Sequence, residues 1–170
     1  MKTVNILCTD PMSRIAITQP SSSNIETFDI GSVTIRVLED GANTEDHATD
    51  VIYTIPPHAS SHLPLRHNQH DESFFILHGT LRIGSATRSF DETKGSFITV
   101  PKRELYTVKN LSEEYVEILA TSTSVGYLEY LRTCARETKP AGEKTDTMQM
   151  SVEEKDTEVK RYVINLRCIT

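Results

Sequence analysis

Long apolar runs are missing from this chain of 170 residues. The longest are a handful of residues, against the roughly 18 or more that a membrane span requires, so no transmembrane helix is expected. Basic clusters are scarce as well. Lys and Arg number 18 against 24 Asp and Glu, a formal net charge of −6, and no basic tract is longer than Lys102-Arg103. That balance argues against nucleic acid as a partner. The first eight residues carry one positive charge and meet Thr9-Asp10-Pro11 before an apolar stretch forms, which is not the pattern of a secretory signal. Cysteine is sparse. Cys8, Cys134 and Cys168 are odd in number, scattered and without a CxxC spacing, so they provide neither a disulfide framework nor a zinc knuckle. They read as thiols without a chemical role in a reducing, cytoplasmic setting. The GxGxxG, GxxxxGK[ST] and GxSxG patterns are absent, which removes the usual nucleotide-binding and serine-hydrolase fingerprints. There is no internal repeat.

What is present fits about one domain, large enough to bury roughly 70% of its unfolded surface without staples. Short runs rich in Val, Ile, Thr, Phe and Tyr recur at intervals of roughly ten, at 14–18, 32–38, 51–55, 74–77, 80–83, 96–100, 105–109 and 114–121. Gly31, Gly41, Gly79, Gly84 and Gly95 fall at turn positions between them. This rhythm predicts an all-β sandwich or barrel. Residues 1–30 read as an N-terminal arm with an edge strand, 31–122 as the barrel, and 123–137 as one amphipathic helix with Ser124 available to cap it. Residues 138–170 read as a polar tail ending in a strand-like run at 161–169. A terminal strand needs a sheet edge, and an edge on a second copy predicts a homodimer.

Histidine is concentrated. Of six in the chain, His58, His62, His67, His70 and His78 lie between positions 58 and 78, and Glu72 follows His70 by two residues. Imidazole and carboxylate ligands together suit zinc, iron, copper, nickel or manganese. Residues 64–79 read PLRHNQHDESFFILHG and residues 95–110 read GSFITVPKRELYTVKN. These two stretches resemble the paired motifs of the cupin superfamily, and the likeness covers most of residues 32–121. In the first motif, H-x-H, three or four residues, E, six residues, G, the matches are His67, Glu72 and Gly79. In the second, G-x5-P-x-G-x2-H-x3-N, they are Gly95, Pro101 and Asn110. The resemblance implies a double-stranded β-helix, or jelly roll, with a pocket in the barrel mouth. The wording around 64–72 is similar to small single-domain cupins of fungal metabolite pathways.

Two of the family's four metal-ligand positions hold other residues: Leu65 stands for the first histidine and Tyr106 for the histidine of the second motif. Arg103 stands for the glycine of P-x-G. The family's three-histidine, one-glutamate centre is therefore not available, and no tightly held metal is expected. If a divalent metal binds, His67, His70 and Glu72 are its ligands, with His62 a further substitute. His70 either joins that group on the Glu72 side of the strand or sits at the rim in a turn over 68–71. His58, His62 and His78 read as loop or hairpin residues.

By the family's layout Leu65, His67, Glu72, Tyr106 and Val108 face the barrel interior, since side chains alternate along a strand. Glu72 is either a buried carboxylate that holds a vestigial site together or, with its pKa raised by apolar surroundings, a proton donor or acceptor. With His67 as partner base and Tyr106 as donor to an oxyanion, these three form a catalytic set. Leu65, His70, Phe74, Ile76, Phe97 and Val108 are the candidate substrate-binding residues. The implied function is metal-independent isomerisation, cyclisation or dehydration of a hydrophobic or aromatic, polyketide-like small molecule. A metal-dependent dioxygenase and a non-catalytic binding cupin are the alternatives.

Overall fold

The computed structural model describes residues 15–60, 65–85 and 87–137. Nine strands and one helix follow in the order β1 (Thr27–Ile30), β2 (Val33–Glu39), β3 (Thr49–Ile55), β4 (Glu72–His78), β5 (Thr80–Ser85), β6 (Ser89–Thr93), β7 (Phe97–Val100), β8 (Tyr106–Lys109), β9 (Val116–Ser122) and α1 (Gly126–Glu137). Six strands form one antiparallel sheet in the order β1-β2-β3-β9-β4-β7, and three form a second in the order β6-β5-β8. This is the all-β architecture with one C-terminal helix that the alternating runs predict.

Alternation decides which side chains enter the core. In β3, β9 and β4 the inward residues line up across the sheet: Val51 opposite Ala120 opposite Phe74, and Tyr53 opposite Ile118 opposite Ile76. Leu81 and Ile83 from β5 and Tyr106 from β8 join the same buried cluster. The two sheets thus share one core, and hydrophobic burial of these Val, Ile and Phe side chains, about 1.5–3 kcal/mol each, holds it. Helix α1 adds Leu128 and Leu131. Arg132 ties the helix to the segment before β1 by donating to both carboxylate oxygens of Glu26, at 3.1 and 2.6 Å.

The structure corrects several local expectations. Residues 15–18 form no strand, whereas β1 and β6 are strands that the sequence pattern did not single out. Both are short edge elements, TFDI and SFDET, whose acidic and polar residues dilute the apolar alternation. Gly84 lies within β5 rather than in a turn. A Cβ there would come 2.8 Å from Ser89 Oγ, so the glycine permits close packing of β5 on β6. The carbonyl that opens α1 belongs to Val125, accepting from Leu128 N at 3.0 Å, not to Ser124. Phe97, expected in the barrel filling, is 67% exposed. In a four-residue strand only alternate side chains face inward, and Val100 and Ile98 take those places. His62 and the tail over 138–170, with its strand-like run at 161–169, lie outside the described residues. Among the described residues no helix is long and apolar enough to cross a membrane.

Candidate functional site

Glu72 opens β4 on the inward side. Its cross-strand neighbours are Ser122 of β9 and Val100 of β7, and Ser122 in turn faces Thr49 of β3. Tyr106 opens β8 on the opposing sheet. His67 and His70 belong to the irregular segment between β3 and β4, where an unpaired backbone has to find other partners. It finds several. Leu65 and Tyr106 exchange backbone hydrogen bonds in both directions, and Arg103 N donates to His67 O at 2.6 Å. Asp71 N donates to Thr123 Oγ1 at 3.1 Å, and Lys102 N donates to Asp71 Oδ1 at 2.8 Å. The segment is thereby pinned at both ends with its two imidazoles turned inward.

Arg103 is part of this clamp. It has φ of 72°, the left-handed region that costs most residues 1–2 kcal/mol. The sequence position is the one where the family motif has glycine, and the backbone keeps the glycine-like turn. Its carbonyl accepts from Arg66 Nε at 2.9 Å.

The expected catalytic set is brought together. His67, Glu72 and Tyr106 are 5%, 2% and 3% exposed. The Tyr106 hydroxyl donates to Glu72 Oε2 at 2.5 Å, and His67 Nε2 lies 2.8 Å from that hydroxyl and 3.0 Å from the same carboxylate oxygen. Burial, then the neighbouring Glu72, pushes the Tyr106 phenol well above its ordinary value. It is therefore a hydrogen-bond donor at neutral pH.

His70 corrects the reading of residues 68–71 as a turn that leaves it at the rim. It is 4% exposed, with its ring centroid 4.4 Å from that of His67. Burial, and then the adjacent His67, lowers its pKa to about 4, so the ring is neutral at physiological pH. Among the described residues, His67 Nδ1 and His70 Nε2 are buried nitrogens with no hydrogen-bond partner. Ligand atoms of His67, His70 and Glu72 all lie within 4.8 Å of one another. In kind and number they fit a two-histidine, one-carboxylate donor set for a divalent metal. The donor set is thus richer by one imidazole than a centre of His67 and Glu72 alone.

Of the expected substrate-binding residues, Phe74 and Ile76 are fully buried, and Phe74 meets Tyr106 with ring centroids 6.0 Å apart. Leu65 and Val108 are half-buried against the core. Phe97 points away from the interior. His58 lies on the surface and pairs with Glu113 at 3.1 Å. His78 stacks on Tyr115, and a register shift between Ile76 and His78 breaks the period-two count that nominally puts it on the Glu72 side.

Sequence reasoning missed Tyr53 and Tyr127. The Tyr127 ring, from the first turn of α1, lies 4.8 Å from the centroids of both His67 and His70. Its hydroxyl is hydrogen-bonded to that of Tyr53 at 3.3 Å. Burial first, then Glu72, pushes both phenols above their ordinary value. The inward alternation of β3 was the available signal for Tyr53. For Tyr127 no linear signal exists, because an aromatic on an amphipathic helix reads as core.

Asn110 closes the list of buried polar residues with a different role. Its Nδ2 donates to the carbonyls of Ile55, Pro56 and Glu114 at 3.1, 2.9 and 2.7 Å, and its Oδ1 accepts from Ser112 N and Oγ at 3.0 and 2.8 Å. It welds the end of β3 to the loop between β8 and β9.

Residues 51–122 match the family described as Cupin domain. No curated protein sequence matches the chain. Among solved structures, a cupin-2 domain from Rhodospirillum rubrum aligns at 18% identity over 62% of this chain and 74% of its own, with a TM-score of 0.54. The polyketide cyclase RemF from Streptomyces resistomycificus aligns at 15% identity over 62% and 78%, with a TM-score of 0.54. A predicted oxalate decarboxylase from Thermotoga maritima aligns at 19% identity over 59% and 91%, with a TM-score of 0.53. At these identities the likeness is one of fold.

Proposed function

From a chain that is a small cupin, with residues 51–122 as its cupin domain, we propose an enzyme that moves a proton on a small hydrophobic or aromatic molecule. The reaction class is isomerisation, cyclisation or elimination. The observation that carries this reading is the buried His67–Glu72–Tyr106 triangle together with the partnerless Nδ1 of His67. The Tyr106 hydroxyl gives its proton to Glu72 Oε2, and its oxygen accepts from Nε2–H of His67, which fixes the neutral tautomer and leaves the lone pair on Nδ1. That nitrogen takes the substrate proton, and the imidazolium so formed is stabilised by the carboxylate behind it, as in other carboxylate-oriented histidine bases. The proton returns from the same nitrogen to another substrate atom or to a leaving oxygen.

The division of labour differs from the one expected from sequence. Tyr106 was expected to serve an oxyanion, but its hydroxyl is committed to Glu72. In this reading Tyr106 and Glu72 are positioning residues, and neutral His70 is the group beside the base that hydrogen-bonds substrate. General acid–base assistance is typically worth about 10²–10⁴-fold. A panel of 1,3-diketones in deuterated water, followed by NMR, should show deuterium uptake catalysed by the native chain and cut by about that factor in His67→Ala. Nitrogen-15 NMR should find His67 protonated at Nε2 alone, and Glu72→Gln should disturb that tautomer. Equal exchange by native and His67→Ala chains, with Nδ1 protonated in the native chain, would overturn the reading.

A second reading has its own observation. The two partnerless nitrogens, His67 Nδ1 and His70 Nε2, beside Glu72 would hold a divalent metal. Such an ion supplies Lewis-acid or oxygen-activating chemistry when bound. One equivalent of iron, copper, zinc, nickel or manganese in the purified protein, lost in both His67→Ala and His70→Ala, would favour this metal-dependent oxygenase reading.

A further inference from the structure

The ring of Tyr127 covers the two imidazoles that have open nitrogens, edge-on to His67 at an interplanar angle of 70° and tilted by 39° to His70. Its hydroxyl meets that of Tyr53. We propose that Tyr127 fills a subsite for an aromatic ring bearing a hydroxyl group, and that a phenolic ligand takes its place. The proposal rests on the reading of the barrel interior as the substrate site and names the ligand class of that site.

Three observations support it. The features that hold the Tyr127 side chain are the ones that would hold a free phenol: two aromatic imidazole faces and one phenolic partner. Tyr127 also belongs to α1, outside the cupin segment 51–122, so the ring is delivered by an element separate from the barrel. It is the second residue of that helix, next to a start that has no side-chain cap. The carbonyl of Val125 opens the helix and Gly126 is its first residue. Neither side chain has an acceptor for the free N–H groups there, and glycine disfavours the helical state. The next turn is anchored by Leu131 in the core and by Arg132 on Glu26. Leu128 holds the first turn itself in the core, so a ligand displaces the Tyr127 side chain and leaves the helix in place.

Tyr127 is an imperfect occupant. It covers His67 and His70 without giving Nδ1 of the one or Nε2 of the other a hydrogen bond. A buried polar group without a partner is unfavourable, so a ligand with a second oxygen on its ring gains what the tyrosine does not. The ligand class is a phenol with a further hydroxyl or carbonyl substituent.

Calorimetric titration of the Tyr127→Ala chain with benzene, phenol and catechol tests this. Phenol should bind about tenfold more tightly than benzene, the worth of one good hydrogen bond. Catechol should bind more tightly still. The unaltered chain should bind phenol about tenfold more weakly than Tyr127→Ala, and adding Tyr53→Phe should erase the preference for phenol over benzene. Equal binding of benzene and phenol, or no gain over the unaltered chain, would overturn the proposal. Should Tyr127→Ala not fold, the unaltered chain decides. Excess phenol should shift the proton NMR signals of the Tyr127 ring, and unchanged signals reject the subsite. Because these readouts are of binding, phenol bound without proton transfer refutes only the acid–base reading, and proton transfer without phenol binding refutes only the subsite.

Discussion

The two ends of the β3–β9 pair treat buried polarity in opposite ways. At the Ile55–Val116 end, Asn110 uses its amide on three carbonyls and its oxygen on Ser112. At the Thr49–Ser122 end, beside Glu72, His67 and His70 keep one nitrogen each without a partner. Asn110 at one end and His67, His70 and Glu72 at the other are all almost wholly buried. A saturated polar residue in a core is architecture, since each of its bonds closes a loop. Unsaturated ones are a cost to stability that a bound molecule relieves.

The largest effect should come from breaking the saturated end. Asn110→Leu removes one amide's bonds to three carbonyls and to Ser112 N and Oγ and should cost about 3–5 kcal/mol, at roughly 0.5–1.5 kcal/mol per hydrogen bond lost. Chemical denaturation should show it, with a melting temperature lower by about 10 °C or more. His70→Phe at the other end removes an orphaned nitrogen at similar volume and should leave stability within about 1 kcal/mol of the native chain. A loss as large as that of Asn110→Leu would erase the contrast.

The next effect is on pH dependence. His70 has a folded value of about 4 against an ordinary 6.5. Between those values the unfolded chain takes up a proton that the folded chain refuses. Stability is therefore full above pH 6.5 and falls as pH drops toward 4. The expected loss is on the order of 2–3 kcal/mol, from about 1.4 kcal/mol per pKa unit. Denaturation at pH 7 and pH 4.5 should resolve it, and His70→Phe should flatten the difference. A slope that persists undiminished in His70→Phe would assign it to other groups.

The smallest effect sharpens the comparison at the clamp that turns His67 inward. Arg103→Gly relieves a left-handed backbone but adds freedom to the unfolded chain. The net should be a gain of about 0.5 kcal/mol, with the His67 carbonyl still held by the residue 103 amide. A destabilised variant would mean that the Arg103 side chain contributes more than its turn.

Much of the architecture was legible because period-two alternation and glycine spacing are local. Gly79 shows this: it has φ of 79°, and a Cβ there would come 2.7 Å from Tyr115 O, so a glycine at that spacing announces a turn, here the corner where the chain leaves β4 in one sheet for β5 in the other. β1 and β6 were not legible, since edge strands need less apolar alternation than central ones. In the site, Glu72 and Tyr106 could be placed by counting along strands. His70 could not, because it lies in an irregular segment whose direction is set by backbone bonds to Tyr106, Arg103 and Thr123.

The sequence alone determined the all-β fold, the inward register of Glu72 and Tyr106, and the loss of two histidines from the family pattern. These follow from side-chain identity and strand period. Only the tertiary structure decided that His70 stands against His67, that both keep an open nitrogen, and that Tyr127 from α1 covers them. Those facts arise where a loop, two sheets and a helix converge, and no periodicity within one segment carries the distance between residues that meet only after the chain has folded.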